Sequence, residues 1–278
     1  RWHEGALYVS DFFTHEVHRF FGDHEHEIVC TVEGQPSGIG FDPQGRMLVV
    51  SMLDRRLLRL ENGDLHEVAD LSAFCGGPAN DMVVDASGRA YVGNFGYQRT
   101  KGEGLRPTRL VRVDPDGTCT SVGTEVVFPN GAAISRDGKT MIVAESFLSR
   151  LTAFDISDDG ELSSPRVWAQ FADEPDYLDT TRATEELPLI PDGICMDSNG
   201  DIWVADAKNP RAVLVREGGE ILATVDTGSG GVMAVALGGT DGRTLYLCCA
   251  PPTGTADTAQ RRDASLMEVR VGPFDMHA

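Results

Sequence analysis

Ser37, Asn80, Asn130 and Asp192 share one spacing: each stands eight residues before a turn glycine, at Gly45, Gly88, Gly138 and Gly200. Asn80, Asn130 and Asp192 carry amide or carboxylate oxygens. Brought to a single point, two amides and one acid form an oxygen-rich site that suits a hard divalent cation such as Ca²⁺, Mg²⁺ or Mn²⁺. The thiolate and imidazole set typical of zinc is missing. Taken singly, each residue reads as a polar side chain bonding the backbone at a turn. The same offset in three successive copies points instead to a functional collar.

The elements that must position these residues are repeats. PSGIGFDPQGRMLVVS from Pro36, ANDMVVDASGRAYVGN from Ala79, PNGAAISRDGKTMIVAE from Pro129 and PDGICMDSNGDIWVAD from Pro191 each read strand, glycine turn, strand. VMAVALGGTDGRTLYLCC from Val232 is a fifth copy with a longer turn at Gly242, and GALYVSDFFTHEVHRF from Gly5 is the back half of another. A period of about 40–50 residues is that of four-stranded propeller blades. Strands such as RRLLRLE, RLVRVDPDG and AVLVREGGE complete the units with an alternating apolar pattern. The expectation is an all-β, six-bladed β-propeller of four-stranded blades around a central channel, one domain over 1–278, with upstream residues of the first blade not in the chain. No segment reads as a convincing amphipathic helix, against α/β barrels and doubly wound sheets; a pair of β-sandwiches is the rival. Equivalent positions in a closed propeller face one another across the axis. Segments 95–109 and 171–190 lengthen their units and read as binding loops or lids.

Composition narrows the partners. The 278 residues hold 24 Lys+Arg against 43 Asp+Glu, a net charge of −19, which repels phosphate backbones and anionic lipid. The expectation is a small-molecule substrate, with neither nucleic acid nor membrane as partner. Six cysteines without a CxxC pair read as reduced structural thiols, and with no signal peptide visible the location expected is cytoplasmic.

The ND at Asn80–Asp81, PNG at Pro129–Gly131, PDG at Pro191–Gly193 and the opening RW-x-x-G resemble the gluconolactonase and regucalcin (senescence-marker-protein) family, to which the luciferin-regenerating enzyme also belongs. The resemblance covers essentially the whole chain. It implies a six-bladed propeller with one divalent cation in the channel, Ca²⁺ first and Mg²⁺, Mn²⁺ or Zn²⁺ as the other ions, and a lactone-hydrolysing activity. Asn130 and Asp192 match metal ligands, Asp192 also matches the general base, and Asn80 matches a position facing the substrate or a metal-bound water; Asn80 is carried as a third candidate ligand. The family's first-blade glutamate ligand falls upstream of Arg1. Pro78 stands where sugar-lactone members often carry an arginine, and the segment before PDG is long and acidic. The resemblance therefore carries fold and metal further than substrate.

The expected chemistry is that of a cation acting as Lewis acid on a cyclic ester and lowering the pKa of a bound water, with Asp192 accepting the water's proton. Asn80, Asp81, Ser37, Glu145 and His15 are the candidates for contact with the substrate. No G-x-S-x-G elbow supports a serine hydrolase. Phosphoester cleavage, a metal-free condensation and a non-catalytic calcium-binding or interaction propeller are the alternatives. DISDDG at Asp155–Gly160 reads as a hairpin turn, because its twelfth position is Arg166 rather than an EF-hand glutamate. His24 and His26 read as exposed, with a surface metal site as their other use. Asp206, like Glu145, ends a second strand, and the three tryptophans are expected between blades.

Overall fold

Glycine turns between apolar strands make hairpins wherever the sequence places them. Gly45, Gly88, Gly138, Gly200 and Gly242 take φ from +70° to +89°, the left-handed region in which glycine costs least. In the turn at Gly88 the opening residue closes it with its side chain: Asp85 Oδ1 accepts the N–H groups of Ser87 and Arg89, each at 2.9 Å. DISDDG is likewise a turn, closed by the Gly160 N–H donating to Ser157 O at 2.8 Å.

The computed structural model describes residues 1–22, 25–176, 178–251 and 263–272. His24 lies outside the described residues, whereas His26 stands exposed on the strand Glu25–Thr31. The hairpins join into six antiparallel sheets, five of four strands and a sixth of three among the described residues. These are the blades of a six-bladed β-propeller. Their innermost strands are Trp2–His3, Pro36–Phe41, Ala79–Val84, Pro129–Ile134, Pro191–Met196 and Gly231–Gly238. From the second blade to the sixth each packs on the next, and the last returns to the first.

The core lies between blades. Each sheet buries both faces, so its inner strands read as nearly continuous apolar runs. Val50, Leu57, Val92 and Val111 join the second and third blades; Tyr91, Leu110, Met141 and Phe154 join the third and fourth. Trp168 fills the interface of the fourth and fifth, and Trp203 that of the fifth and sixth. Trp2 stacks on Tyr246 at 5.4 Å where the sixth blade meets the first. Each such side chain contributes about 1.5–3 kcal/mol by leaving water. The six cysteines form no disulfide. Burial pushes the Cys30 and Cys75 thiols up to about 11 and about 12, which holds them protonated and weakly nucleophilic.

Strand alternation fixes which loops share a face. The starts of the innermost strands, the turns joining second to third strands and the connections between blades lie at one end of the channel; the glycine turns lie at the other. Both insertions therefore decorate the end that carries Asn80, Asn130 and Asp192. One correction belongs here: the second insertion does contain a helix, Thr180–Glu186, started by Asp179, whose carboxylate accepts the Arg182 N–H at 2.8 Å. At seven residues it is too short to show a periodic apolar face. It docks through Ala183, with Leu187 and Ile190 beyond its end, near Phe147. No helix among the described residues is long and apolar enough to cross a membrane.

Candidate active site

An extra residue in the innermost strands of the second to sixth blades aims the collar. Pairing between first and second strands slips between Pro36 and Ile39, Ala79 and Met82, Pro129 and Ala132, and Pro191 and Ile194. The bulged pairs are Ser37–Gly38, Asn80–Asp81, Asn130–Gly131 and Asp192–Gly193. A bulge bends the strand and re-aims its side chain, here toward the axis. In the sixth blade the slip falls between Val232 and Ala234, which gives Met233, an apolar member that spacing from Gly242 did not find because that turn is longer.

Glycine follows the polar residue for a steric reason. A Cβ on Gly131 would lie 2.4 Å from Ile194 N, and one on Gly193 2.7 Å from Ala234 Cα. Neighbouring inner strands thus approach backbone to backbone. The third blade has Asp81 at this position instead, one quarter exposed and 4.0 Å from the Arg1 guanidinium. Arg1 also donates to the Ile39 carbonyl at 3.0 Å and to the Met82 carbonyl.

The collar residues meet in sequence order. Ser37 Oγ donates to Asn80 Oδ1 at 3.4 Å. Asn80 Nδ2 donates to Asn130 Oδ1 and to the Pro129 carbonyl, each at 3.3 Å. The Asn130 amide donates to Ser146 Oγ at 3.3 Å and sits near enough to the Asp192 carboxylate to favour its charged form. Ser146, only 2% exposed, donates its hydroxyl hydrogen bond to the Pro191 carbonyl at 2.7 Å. Ser146 is the residue that the sequence reading missed. It opens the turn after Glu145, and its one signal was adjacency to that acid.

Asp192 is electrostatically out of place. Burial in the channel, followed by the negative charge of Asp81, pushes its carboxyl from 3.8 up to about 8, against the Gly193 N–H and the Asn130 amide, which pull it down. Its surface remains partly open to the channel, and among the described residues no basic side chain pairs with it. A second carboxylate nearby, two amide oxygens and an unmet need for positive charge fit a hard divalent cation. Among the described residues no three His, Cys, Asp or Glu side chains gather as a metal-holding group, so the amide oxygens of Asn80 and Asn130 would complete the donor set.

Glu145 and His15 are placed elsewhere. Glu145 is fully buried, accepting from Val127 N at 2.6 Å, Arg150 Nε at 2.7 Å and Thr152 Oγ1. Asp206 does the same in the fifth blade, with Ile190 N, Asn209 Nδ2 and Arg211 Nε. These acids clamp the turns at their strand ends. His15, in a left-handed turn conformation with φ +64°, pairs with the Glu33 carbonyl at 2.9 Å. Neither touches the collar.

Comparison with known proteins gives a consistent picture. Residues 1–250 match the family model described as the SMP-30/Gluconolactonase/LRE-like region. The chain is 30% identical to pentonolactonase XacC of Haloferax volcanii over 93% of its own length and 83% of that protein's. It is 29% identical to lactonase drp35 of Staphylococcus aureus over 73% of its own length and 57% of that protein's. Among solved structures it resembles a luciferin-regenerating enzyme with a TM-score of 0.77 at 21% identity, covering 97% of this chain and 88% of that one. A regucalcin described as calcium-binding, from Agrobacterium tumefaciens, gives 0.76 at 18% identity over 96% and 88%.

Proposed function

The chain belongs to the SMP-30/gluconolactonase/LRE-like family, and on that footing we propose that it hydrolyses a lactone, with Asp192 as general base and Asn80, Asn130 and Asp192 as holders of one divalent cation, Ca²⁺ first. The observation that carries the reading is the collar itself: Ser37, Asn80 and Asn130 from three blades, hydrogen-bonded in order around the channel mouth, with Asp192 of the next blade beside Asn130. Relatives named pentonolactonase and lactonase supply the reaction class.

When bound, the cation supplies Lewis acidity toward the ester carbonyl and positive charge that keeps Asp192 ionised. The protein's own groups do the rest. Asp192 takes one proton from the attacking water as its oxygen bonds to the carbonyl carbon. The carbonyl–ring-oxygen bond then breaks, and the departing alkoxide recovers that proton from Asp192, leaving a hydroxy acid. The Asn130 amide holds the carboxylate in place through both steps. Asn80, tied to Ser37 on one side and Asn130 on the other, fixes the wall against which the lactone lies. Asp81 adds negative charge that favours a cation and raises the proton affinity of Asp192.

The test is a lactone panel read before and after chelation. Turnover lost with the chelator and restored by one divalent ion is the expected result. Turnover that survives exhaustive chelation overturns the metal assignment. Cation binding by calorimetry without turnover of any lactone overturns the enzymatic one.

A further inference from the structure

The donors of the collar are spent on one another. Both Asn80 amide hydrogens go to the Pro129 and Asn130 oxygens. Asn130 gives one of its own to Ser146, and the Ser37 and Ser146 hydroxyls go to Asn80 and Pro191. The collar therefore offers a ligand few free donors, and its open polar groups are the carboxylate acceptors of Asp81 and Asp192. What adjoins the collar is aromatic. Phe128 precedes Pro129–Asn130 and Phe147 follows Ser146. Phe95 and Phe128 stack at 4.6 Å, and Phe147 meets Phe128 edge-on at 4.8 Å. All three stay partly exposed, while Tyr97, Leu105, Val127 and Leu148 back them from beneath.

The same face is apolar farther out. Phe12 is 38% exposed, Phe13 50%, Leu53 55%, Phe74 37% and Leu178 42%, all in its turns and connections. Among the described residues no large apolar side chain so exposed lies in a turn of the opposite face. Exposed apolar surface gathered on the face that holds a polar site marks ligand recognition.

Resting on the lactone-hydrolase reading, the geometry points to a substrate class: a lactone whose ring carries an apolar, ring-sized substituent, seated on Phe95, Phe128 and Phe147 while the ester meets the collar. Phe128 is the central specificity residue, because it touches both other rings and leads directly into Asn130. A planar substituent offers an edge or face to each ring.

The experiment compares γ-phenyl-γ-butyrolactone, unsubstituted γ-butyrolactone and a pentono-1,4-lactone as substrates, with the matching phenyl and polyhydroxylated γ-lactams as unreactive ligands for calorimetry. Expected are a kcat/KM for the phenyl lactone about tenfold or more above both others, and the tighter Kd for the phenyl lactam. Phe128→Ser lowers the phenyl preference about tenfold through KM and leaves γ-butyrolactone within about threefold; Phe128→Leu, which keeps apolar volume, retains part of it. Equal or better turnover of the pentonolactone, or a phenyl lactam that binds no tighter than the hydroxylated one, overturns the inference whatever the variants do. A tight phenyl lactam with no lactone turned over upholds the aromatic seat and overturns the hydrolase reading instead.

Discussion

The side-chain amide nitrogen of Asn80 lies 3.3 Å from the side-chain amide oxygen of Asn130, although the two belong to different blades. This contact makes the collar a continuous chain rather than a set of separate turn residues, and the variants that follow break it at different links.

Replacing the acid at the end of the chain removes the base. Asp192→Asn keeps the shape and the place beside Asn130 but cannot accept a proton. Lactone turnover should fall by about 10²-fold or more, with the circular dichroism of the folded chain unchanged and Ca²⁺ affinity lowered. Near-normal turnover in a lactone assay would remove Asp192 from the reaction.

Asn80→Ala severs Ser37 from Asn130. It also deletes an amide oxygen of the proposed donor set. Turnover should drop about tenfold or more, and cation affinity, measured by titration calorimetry, should fall less than in Asp192→Asn. A variant indistinguishable from wild type in both measurements would leave Asn80 as a turn residue.

Ser146→Ala frees the Asn130 amide to rotate and strips the Pro191 carbonyl of its buried donor. Leaving buried polar groups unmet costs about 1–3 kcal/mol, read as a lowered melting temperature. Turnover should fall with it, and Ser146→Thr, which restores the hydroxyl, should recover part of both. A loss of stability without any loss of kcat would make Ser146 purely structural.

Asp192 also sets a pH signature. Its folded value is raised from 3.8 to about 8, so across that interval the metal-free folded chain holds a proton that the unfolded chain has released. The stability contributed by the neutral acid is complete below about 4 and is lost as pH rises toward 8. Asp192→Asn is always neutral. Its melting temperature relative to wild type, both stripped of metal, should therefore climb from pH 4 to pH 8 and then level off; a flat difference would show that Asp192 ionises freely.

Gly131→Ala tests the close approach of the strands. The added methyl would meet Ile194 N at 2.4 Å, forcing the fourth and fifth blades apart at the collar. The cost should be about 1–3 kcal/mol, seen in chemical denaturation, together with reduced turnover. Wild-type stability would mean that the strands part without strain.

The glycine turns, the alternating strands and the eight-residue offset carried the propeller and the positions of Ser37, Asn80, Asn130 and Asp192, because those signals are local and repeat from blade to blade. Glu145 and His15 looked alike as candidates for opposite reasons. An acid ending a strand is legible, but its partners Arg150, Thr152 and Val127 are chosen by the turn it clamps. A histidine in a turn is legible, but not its bond to Glu33. Met233 escaped because the sixth blade's longer turn broke the count, and the helix Thr180–Glu186 because seven residues carry too little periodicity.

The sequence by itself thus determined the repeated blade, the turn chemistry and which residue types stand at each innermost strand, since backbone conformation and apolar period act over a few residues. Only the tertiary structure decided that the bulges face a common axis, that Ser146 from the neighbouring turn holds Asn130, and that three phenylalanines from separate loops stand beside the collar. Those outcomes depend on ring closure, which brings together backbones far apart in the chain and raises the proton affinity of Asp192 by burying much of it in the channel and, second, by placing Asp81 near it.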